Sequence, residues 1–274
     1  MVVGCMPVGK TVLLPKRAEA GDPAKYRPIT MSDIVVRCFH RILAQRMEIQ
    51  LPFSTRQKAF GAVMADSVWF IQAVIKHHQD NLRPLNVAFV DVKKAFDSVS
   101  HQSILVAAAR LGVPPPFLGY ICKLYSNAVT TLRIGPDVSG PIRLGRGVRQ
   151  GDPLSIHLFY AMIDMCLAGL DPSLGCEVSD LRVNHGAFAD DIALFAATPR
   201  GLQVLASELE SQLSMCGLSI SSGPHGKSAT MGLDFDGKAK KWVINPLPFL
   251  GVANETVPPV LVSQVYRYLR VDRK

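Results

Sequence analysis

The stretch from Val183 to Ala197 constrains this chain more than any other part of its 274 residues. Apolar residues run up to Asp190 and Asp191 and resume at once with Ile192. Such a run predicts a β-hairpin buried on both faces, with the two aspartates at its turn. A plain two-residue turn favours Asn-Gly or Asp-Gly, because φ > 0 is required there. Adjacent carboxylates repel each other and are costly to bring near an apolar core unless a cation neutralises them. Two readings stay open at this point: a solvated acidic turn, or a divalent-metal site that takes a third carboxylate from elsewhere.

A candidate for that carboxylate lies far upstream. Val87 to Val90 is a short β-type run that ends on Asp91 and passes into a segment of helical spacing. A strand here, laid beside the 183–197 hairpin, would bring Asp91 and Asp190 together at one end of a sheet. Hard cations such as Mg²⁺ take oxygen ligands and keep substrate phosphates as partners. Two such ions, about 3.5–4 Å apart, can clamp the attacking and leaving oxygens of a phosphoryl displacement.

Three segments then stand in order: Phe89-Val90-Asp91-Val92-Lys93-Lys94-Ala95-Phe96-Asp97-Ser98-Val99, Gly147-Val148-Arg149-Gln150-Gly151-Asp152-Pro153-Leu154-Ser155, and Phe188-Ala189-Asp190-Asp191. Together they resemble three successive core motifs of reverse transcriptases. Their order and spacing are similar to the non-LTR retrotransposon branch, especially elements that also encode a restriction-like endonuclease. The resemblance runs from about Thr11 to Val271. It implies an α/β (α+β type) polymerase right-hand fold: an antiparallel palm sheet packed on helices plus a fingers subdomain, with the thumb missing. Fingers are expected over 1–86 and palm over 87–274.

The resemblance also implies an activity and a site. The activity is template-directed transfer of deoxynucleotides to a primer 3′-OH, as in target-primed retrotransposition, with two Mg²⁺ ions or Mn²⁺ as substitute. The partners are an RNA template, a DNA primer and deoxynucleoside triphosphates. Asp91 and Asp190 are expected to hold metal, with Asp191 as a weaker ligand and the Val92 carbonyl completing the site. Lys16 and Arg27 would reach the triphosphate. Phe96 stands where the family places the bulky residue that crowds the sugar 2′ position and leaves a 2′-OH unpaired. Gln150 and Gly151 precede a helix N-terminus, where backbone N–H groups and glycines suit close approach to template and nucleotide. Lys227 occupies the position of a lysine that protonates pyrophosphate, and Tyr268-Leu269 resembles the primer grip.

Bulk properties bound this picture. At 274 residues the chain can bury a full core, and a hydrophobic content of 48% argues against disorder. The formal charge is +8, and within residues 1–60 ten lysines and arginines face four acidic residues. Phosphate binding is therefore expected to start there. Six cysteines carry no C-x-x-C or His pairing at metal spacing, which predicts reduced thiols in an intracellular protein without zinc. No apolar run reaches about 18 residues, and no signal peptide is read. A nuclear location is implied by the family alone.

Along the chain, 11–16 and 26–30 read as extended segments of a basic strand–loop–strand. Ser32 or Asp33 caps a helix through Met47, with Ile34, Val35, Cys38, Phe39, Ile42, Leu43 and Met47 as its apolar side. Arg37, His40, Arg41 and Arg46 form its polar side, either a solvated face or a surface laid against nucleic acid. Further helices are expected over 67–78, 102–111, 117–127, 154–170 and 201–216. Strands are expected at 130–134, 142–144, 229–233 and 266–271.

Three functional classes fit these features. One is the polymerase. Another is a retroelement relic that binds nucleic acid without extending a primer, favoured by Ala59, Ile156 and Arg270 where the family has glycine, proline and glycine. The last is a viral-type RNA-dependent RNA polymerase, which Phe96 opposes because such an enzyme must accept the 2′-OH. Primer extension with and without Mg²⁺ separates the first two.

Overall fold

The computed structural model describes residues 9–15, 26–54, 56, 64–223, 226–245, 250–252, 255–259, 266–268 and 271–273. Strands β1 (Gly9–Pro15) and β2 (Tyr26–Met31) precede helices α1 (Ile34–Gln50) and α2 (Met64–Asp80). Strand β3 (Leu85–Asp91) leads to α3 (Ala95–Ser98), α4 (His101–Leu111) and α5 (Pro115–Ser126). Short strands β4 (Val129–Ile134), β5 (Asp137–Val138) and β6 (Ile142–Arg143) come before helix α6 (Pro153–Ala168). Next are β7 (Cys176–Val178), β8 (Leu181–Val183), β9 (His185–Phe188), β10 (Asp191–Ala196) and helix α7 (Pro199–Met215). The last strands are β11 (Ala229–Asp236), β12 (Lys241–Asn245), β13 (Leu250–Val252), β14 (Glu255–Val257), β15 (Tyr266–Tyr268) and β16 (Val271–Arg273).

These elements gather into two compact units, one from Met1–Phe53 with Phe96–Met162, the other from Ser54–Ala95 with Ile163–Lys274. The fingers and palm limits expected above follow motif order, whereas these units follow packing. In the second unit a five-stranded antiparallel sheet runs β12-β11-β3-β10-β9. Strand 87–91 and the 183–197 hairpin thus share one sheet, as expected. Val87, Phe89, Ala193 and Phe195 point to the face where Ile71 and Val74 of α2 complete a core. Their alternates Ala88, Val90, Ile192 and Leu194 are buried too, and α7 packs against β3 and β10. Burial on both faces explains why neither strand shows polar alternation.

In the first unit β1 pairs antiparallel with β2 and parallel with β4, which also pairs with β5 and β6. Three threonines lie across the first three of these strands. Thr11 Oγ1 is 2.9 Å from Thr30 Oγ1 and 2.7 Å from Thr130 Oγ1, and Thr130 donates to the Gly9 carbonyl at 2.7 Å. Their mutual bonding lets hydroxyls sit inside the sheet.

Two expectations are corrected. Of the two cap candidates Asp33 is the one used, accepting from the Val35 N–H at 2.9 Å, but the buried side of the helix is His40, Ala44 and Met47, of which only Met47 belongs to the expected apolar side. Ile34, Val35, Phe39 and Ile42 are exposed. His40 turns inward because both ring nitrogens are satisfied: Nδ1 lies 2.6 Å from Asp152 Oδ2 and Nε2 2.6 Å from the Tyr120 hydroxyl. At the other end of the chain, 266–271 is not one strand. Tyr266–Tyr268 pairs antiparallel with Val271–Arg273.

Candidate active site

Two groups of expected site residues take shape, one in each unit. The first sits where β3 and β10 end. Their register sets Asp191 opposite Asp91, and β10 pairs the same Asp191 with Phe188 of β9. The hairpin turn is therefore Ala189-Asp190, with Ala189 at φ 57°, and Asp191 is already strand. Side chains directly opposite on antiparallel strands leave the same face with Cβ atoms about 4.5–5.5 Å apart, and like charges so placed destabilise. The three aspartates are only half-buried, so water relieves part of that repulsion.

Asp91 is held from several directions. Its N–H donates to Ser228 Oγ at 3.1 Å, and its carbonyl accepts from the Ser221 N–H at 2.8 Å. Lys93 N–H donates to the Ser219 carbonyl at 2.8 Å, which places Val92 opposite Ile220 in a narrow antiparallel bridge. In such a pair the flanking residues make the bonds, so neither bond uses the Val92 carbonyl. Lys227 donates its backbone N–H to Ser221 Oγ at 3.1 Å, and its Nζ lies 3.4 Å from Asp91 Oδ1. The Lys227 side chain is 77% exposed, so this pair adds little stability, but it puts a cation against the carboxylate.

Among the described residues, no group of three or more His, Cys, Asp or Glu side chains forms a recognisable metal cluster. The donor chemistry nevertheless fits a hard divalent cation. Asp91 and Asp191, both hard oxygen donors, stand in register at the strand ends, and Asp91 Oδ1 already has the Lys227 ammonium 3.4 Å away.

The second group surrounds Gln150. Gly147 (φ 82°) and Gly151 (φ 104°) bracket it in the left-handed region. A Cβ on Gly147 would lie 2.8 Å from the Asp97 carbonyl oxygen, and one on Gly151 would lie 3.1 Å from that of Thr30. Only glycine meets both demands at once. Gly147 N–H bonds to the Val99 carbonyl at 2.8 Å, Val148 N–H to that of Phe96 at 2.7 Å, and Thr30 N–H to that of Gln150 at 2.8 Å. Just beyond, the buried Asp152 caps α6, its Oδ1 accepting from the Leu154 N–H at 2.9 Å. The Phe96 ring stacks on buried Phe159, centroids 4.3 Å apart and planes at 26°, and is itself only half-buried.

The other expected contacts are dispersed. Arg27 is an exposed residue of β2, paired in register with Leu14. Lys16 and Leu269 lie outside the described residues, as do Ala59 and Arg270, and Tyr268 is a residue of β15. Arg37, Arg41 and Arg46 are exposed on α1. Arg56 is not part of an open basic face. Its guanidinium donates to Asn184 Oδ1 at 2.9 Å and to the Arg182 carbonyl at 3.0 Å.

Sequence reasoning missed the residues that position others. Ser221 and Ser228 hold Asp91 and Lys227, yet serines beside a lysine carry no periodic or charge signal. Asp97 accepts from Gln150 Nε2 at 2.7 Å across a separation of 53 residues. Its one signal was its place inside the Phe96-Asp97 motif.

With this geometry in hand, comparison with known proteins is direct. The family described as reverse transcriptase (RNA-dependent DNA polymerase) matches residues 14–245. The chain is 36% identical over 264 residues to the retrovirus-related Pol polyprotein of type-1 retrotransposable element R2 from Nasonia vitripennis, covering 96% of this chain and 26% of that protein. It is 33% identical over 267 residues to the Pol polyprotein of type-2 element R2DM from Drosophila melanogaster, covering 97% and 25%. The chain thus spans about a quarter of the length of these relatives. Among solved structures, telomerase from Candida tropicalis with a fragment of telomeric RNA superposes with a TM-score of 0.57 at 11% identity, covering 87% of this chain and 44% of that one. The apo telomerase of the same organism gives 0.54, covering 88% and 55%, and both likenesses speak for the right-hand polymerase fold alone. Motifs, family match and relatives agree that this chain belongs to the reverse transcriptase family, as a reverse transcriptase domain of a non-LTR retrotransposable element.

Proposed function

We propose that this chain carries out RNA-directed DNA synthesis, adding deoxynucleotides to a DNA primer 3′-OH on an RNA template, as in target-primed retrotransposition. The observation that carries the reading is the register that sets Asp191 opposite Asp91 with Asp190 in the adjoining turn. Asp91, Asp190, Asp191 and the Val92 carbonyl would hold two divalent cations, Mg²⁺ or Mn²⁺ in its place. When bound, these supply Lewis-acid activation of the 3′-OH and charge neutralisation at the pyrophosphate. Lys227, anchored beside Asp91, gives up a proton to the leaving pyrophosphate or neutralises it. Lys16 and Arg27 bind the triphosphate, and Gln150 and Gly151 contact nucleotide and template. Phe96, braced by Phe159, narrows the space at the sugar 2′ position. Tyr268 and Leu269 grip the primer.

In this reading residues 1–86 act as fingers and 87–274 as palm, and the domain works in the nucleus, where its target DNA lies. Exposed Arg37 and Arg41 support contact with the phosphate backbone. The test is primer extension on an RNA template with Mg²⁺. The purified chain should extend, and Asp91→Asn should lower the rate by at least about 10²-fold. Equal rates for the two proteins would sink the reading. Salt-dependent hybrid binding with no extension would favour the relic instead.

A further inference from the structure

We propose that Asp97 is the positioning residue for Gln150, fixing which end of its side-chain amide meets the substrate. This rests on the reading that Gln150 contacts nucleotide and template. The two ends of a glutamine amide are alike in shape and opposite in chemistry: Oε1 accepts, Nε2 donates. Nothing in the covalent structure of Gln150 selects between them. An ionised carboxylate does, because it can only accept. With Gln150 Nε2 2.7 Å from Asp97 Oδ1, a half-turn of the amide would set oxygen against oxygen. The bond therefore commits Nε2 to Asp97 and turns Oε1 away as the acceptor left for a hydroxyl or N–H donor.

The bond is built into the backbone and is not a chance meeting of two long side chains. The segment bearing Gln150 is tied to the segment bearing Asp97 by Gly147 N–H to the Val99 carbonyl and Val148 N–H to the Phe96 carbonyl. Gly147 has no Cβ, and that lets the two main chains approach; an added Cβ would stand 2.8 Å from the carbonyl oxygen of Asp97 itself. From β2, Thr30 N–H holds the Gln150 carbonyl. Both residues also line a cavity of about 250 Å³, together with Thr30, Arg146 and Arg149. Short charge-assisted bonds of this kind are the stronger class, which suits a group that must hold its orientation before the substrate arrives.

The experiment compares the whole chain with Asp97→Ala, Asp97→Asn, Gln150→Ala and the Asp97→Ala/Gln150→Ala pair. With glutamine carrying nitrogen-15, the Gln150 side-chain amide signals are those missing from Gln150→Ala. They should move in Asp97→Ala and move less in Asp97→Asn, which keeps one acceptor oxygen and the same size. In primer extension, Asp97→Ala should raise KM for deoxynucleotides about ten-fold with a smaller change in kcat, and Asp97→Asn should recover part of this loss. The double variant should be no worse than Gln150→Ala alone, the signature of residues acting as a unit. Losses that simply add, or amide signals unmoved in both Asp97 variants, overturn the proposal. An unsubstituted chain that extends no primer overturns the polymerase reading instead, and the amide signals then decide the role of Asp97 by themselves.

Discussion

Helices α1 and α7 have the same length, 17 residues, and both carry an amphipathic pattern, yet they meet the rest of the protein differently. Leu202, Leu205, Leu209 and Leu213 of α7 are all fully buried, on the side their spacing predicts. On α1 the aliphatic side is exposed, and the helix is seated through His40, Ala44 and Met47. Periodicity identifies a helix and its apolar stripe. Which side is covered depends on what the neighbours offer, and for α1 they offer a carboxylate and a phenol to a histidine. A polar residue whose hydrogen bonds are all met can outbid isoleucine for the interior.

Four substitutions break or sharpen that contrast. The largest loss should follow Leu209→Ala, about 3–4 kcal/mol from lost burial and the cavity left in a packed face. Urea denaturation reads it, and a loss below about 1 kcal/mol would mean that α7 is not seated as described. His40→Leu should cost about 2–3 kcal/mol, because it removes the hydrogen bond to the buried Asp152 Oδ2 and leaves the carboxylate only the Leu154 N–H on Oδ1. A neutral result would show that α1 is held by its alanine and methionine alone.

Asp164 on α6 gives the opposite case, a buried polar group left incomplete. Its Oδ2 accepts from the Ser54 N–H at 3.0 Å, while its buried Oδ1 has no hydrogen-bond partner among the described residues. Burial pushes its pKa up to about 6, against the Ser54 bond that favours the charged form. Between its ordinary value and 6 the native state holds a proton the unfolded chain has released, so stability falls as pH rises through this window. His185 acts in reverse: burial, then Arg56, lower its pKa to about 4, so its contribution is lost as pH falls from 6.5 toward 4. Asp164→Asn should therefore gain about 1–2 kcal/mol at pH 7.5 and leave a stability that climbs steadily from pH 4 to 6.5. Melting temperatures across that range provide the check. Last and smallest, Ile42→Ser on the exposed side of α1 should change stability by less than about 0.5 kcal/mol. A larger loss would mean that this side is covered in solution.

Local chemistry was enough to read Val87–Asp91 and the 183–197 hairpin as strands, the leucine stripe of α7 and a cap at Ser32 or Asp33 for α1. In each case the deciding information sits within a few residues: an unbroken apolar run, a helical repeat, a side-chain oxygen next to the first N–H of a helix. Three short motifs were enough to place the chain in its family. Tertiary structure alone decided that Asp191, not Asp190, stands opposite Asp91, because strand register is settled between chains of residues about a hundred positions apart. It also decided the parallel pairing of β1 with β4, the exposure of Ile34 and Ile42, and the hold of Ser221 and Ser228 on Asp91. The bond from Gln150 to Asp97 belongs with these. Hydrogen bonds between side chains distant in sequence leave no period and no composition behind, since either partner alone is an ordinary polar residue; only the fold brings the donor to its acceptor.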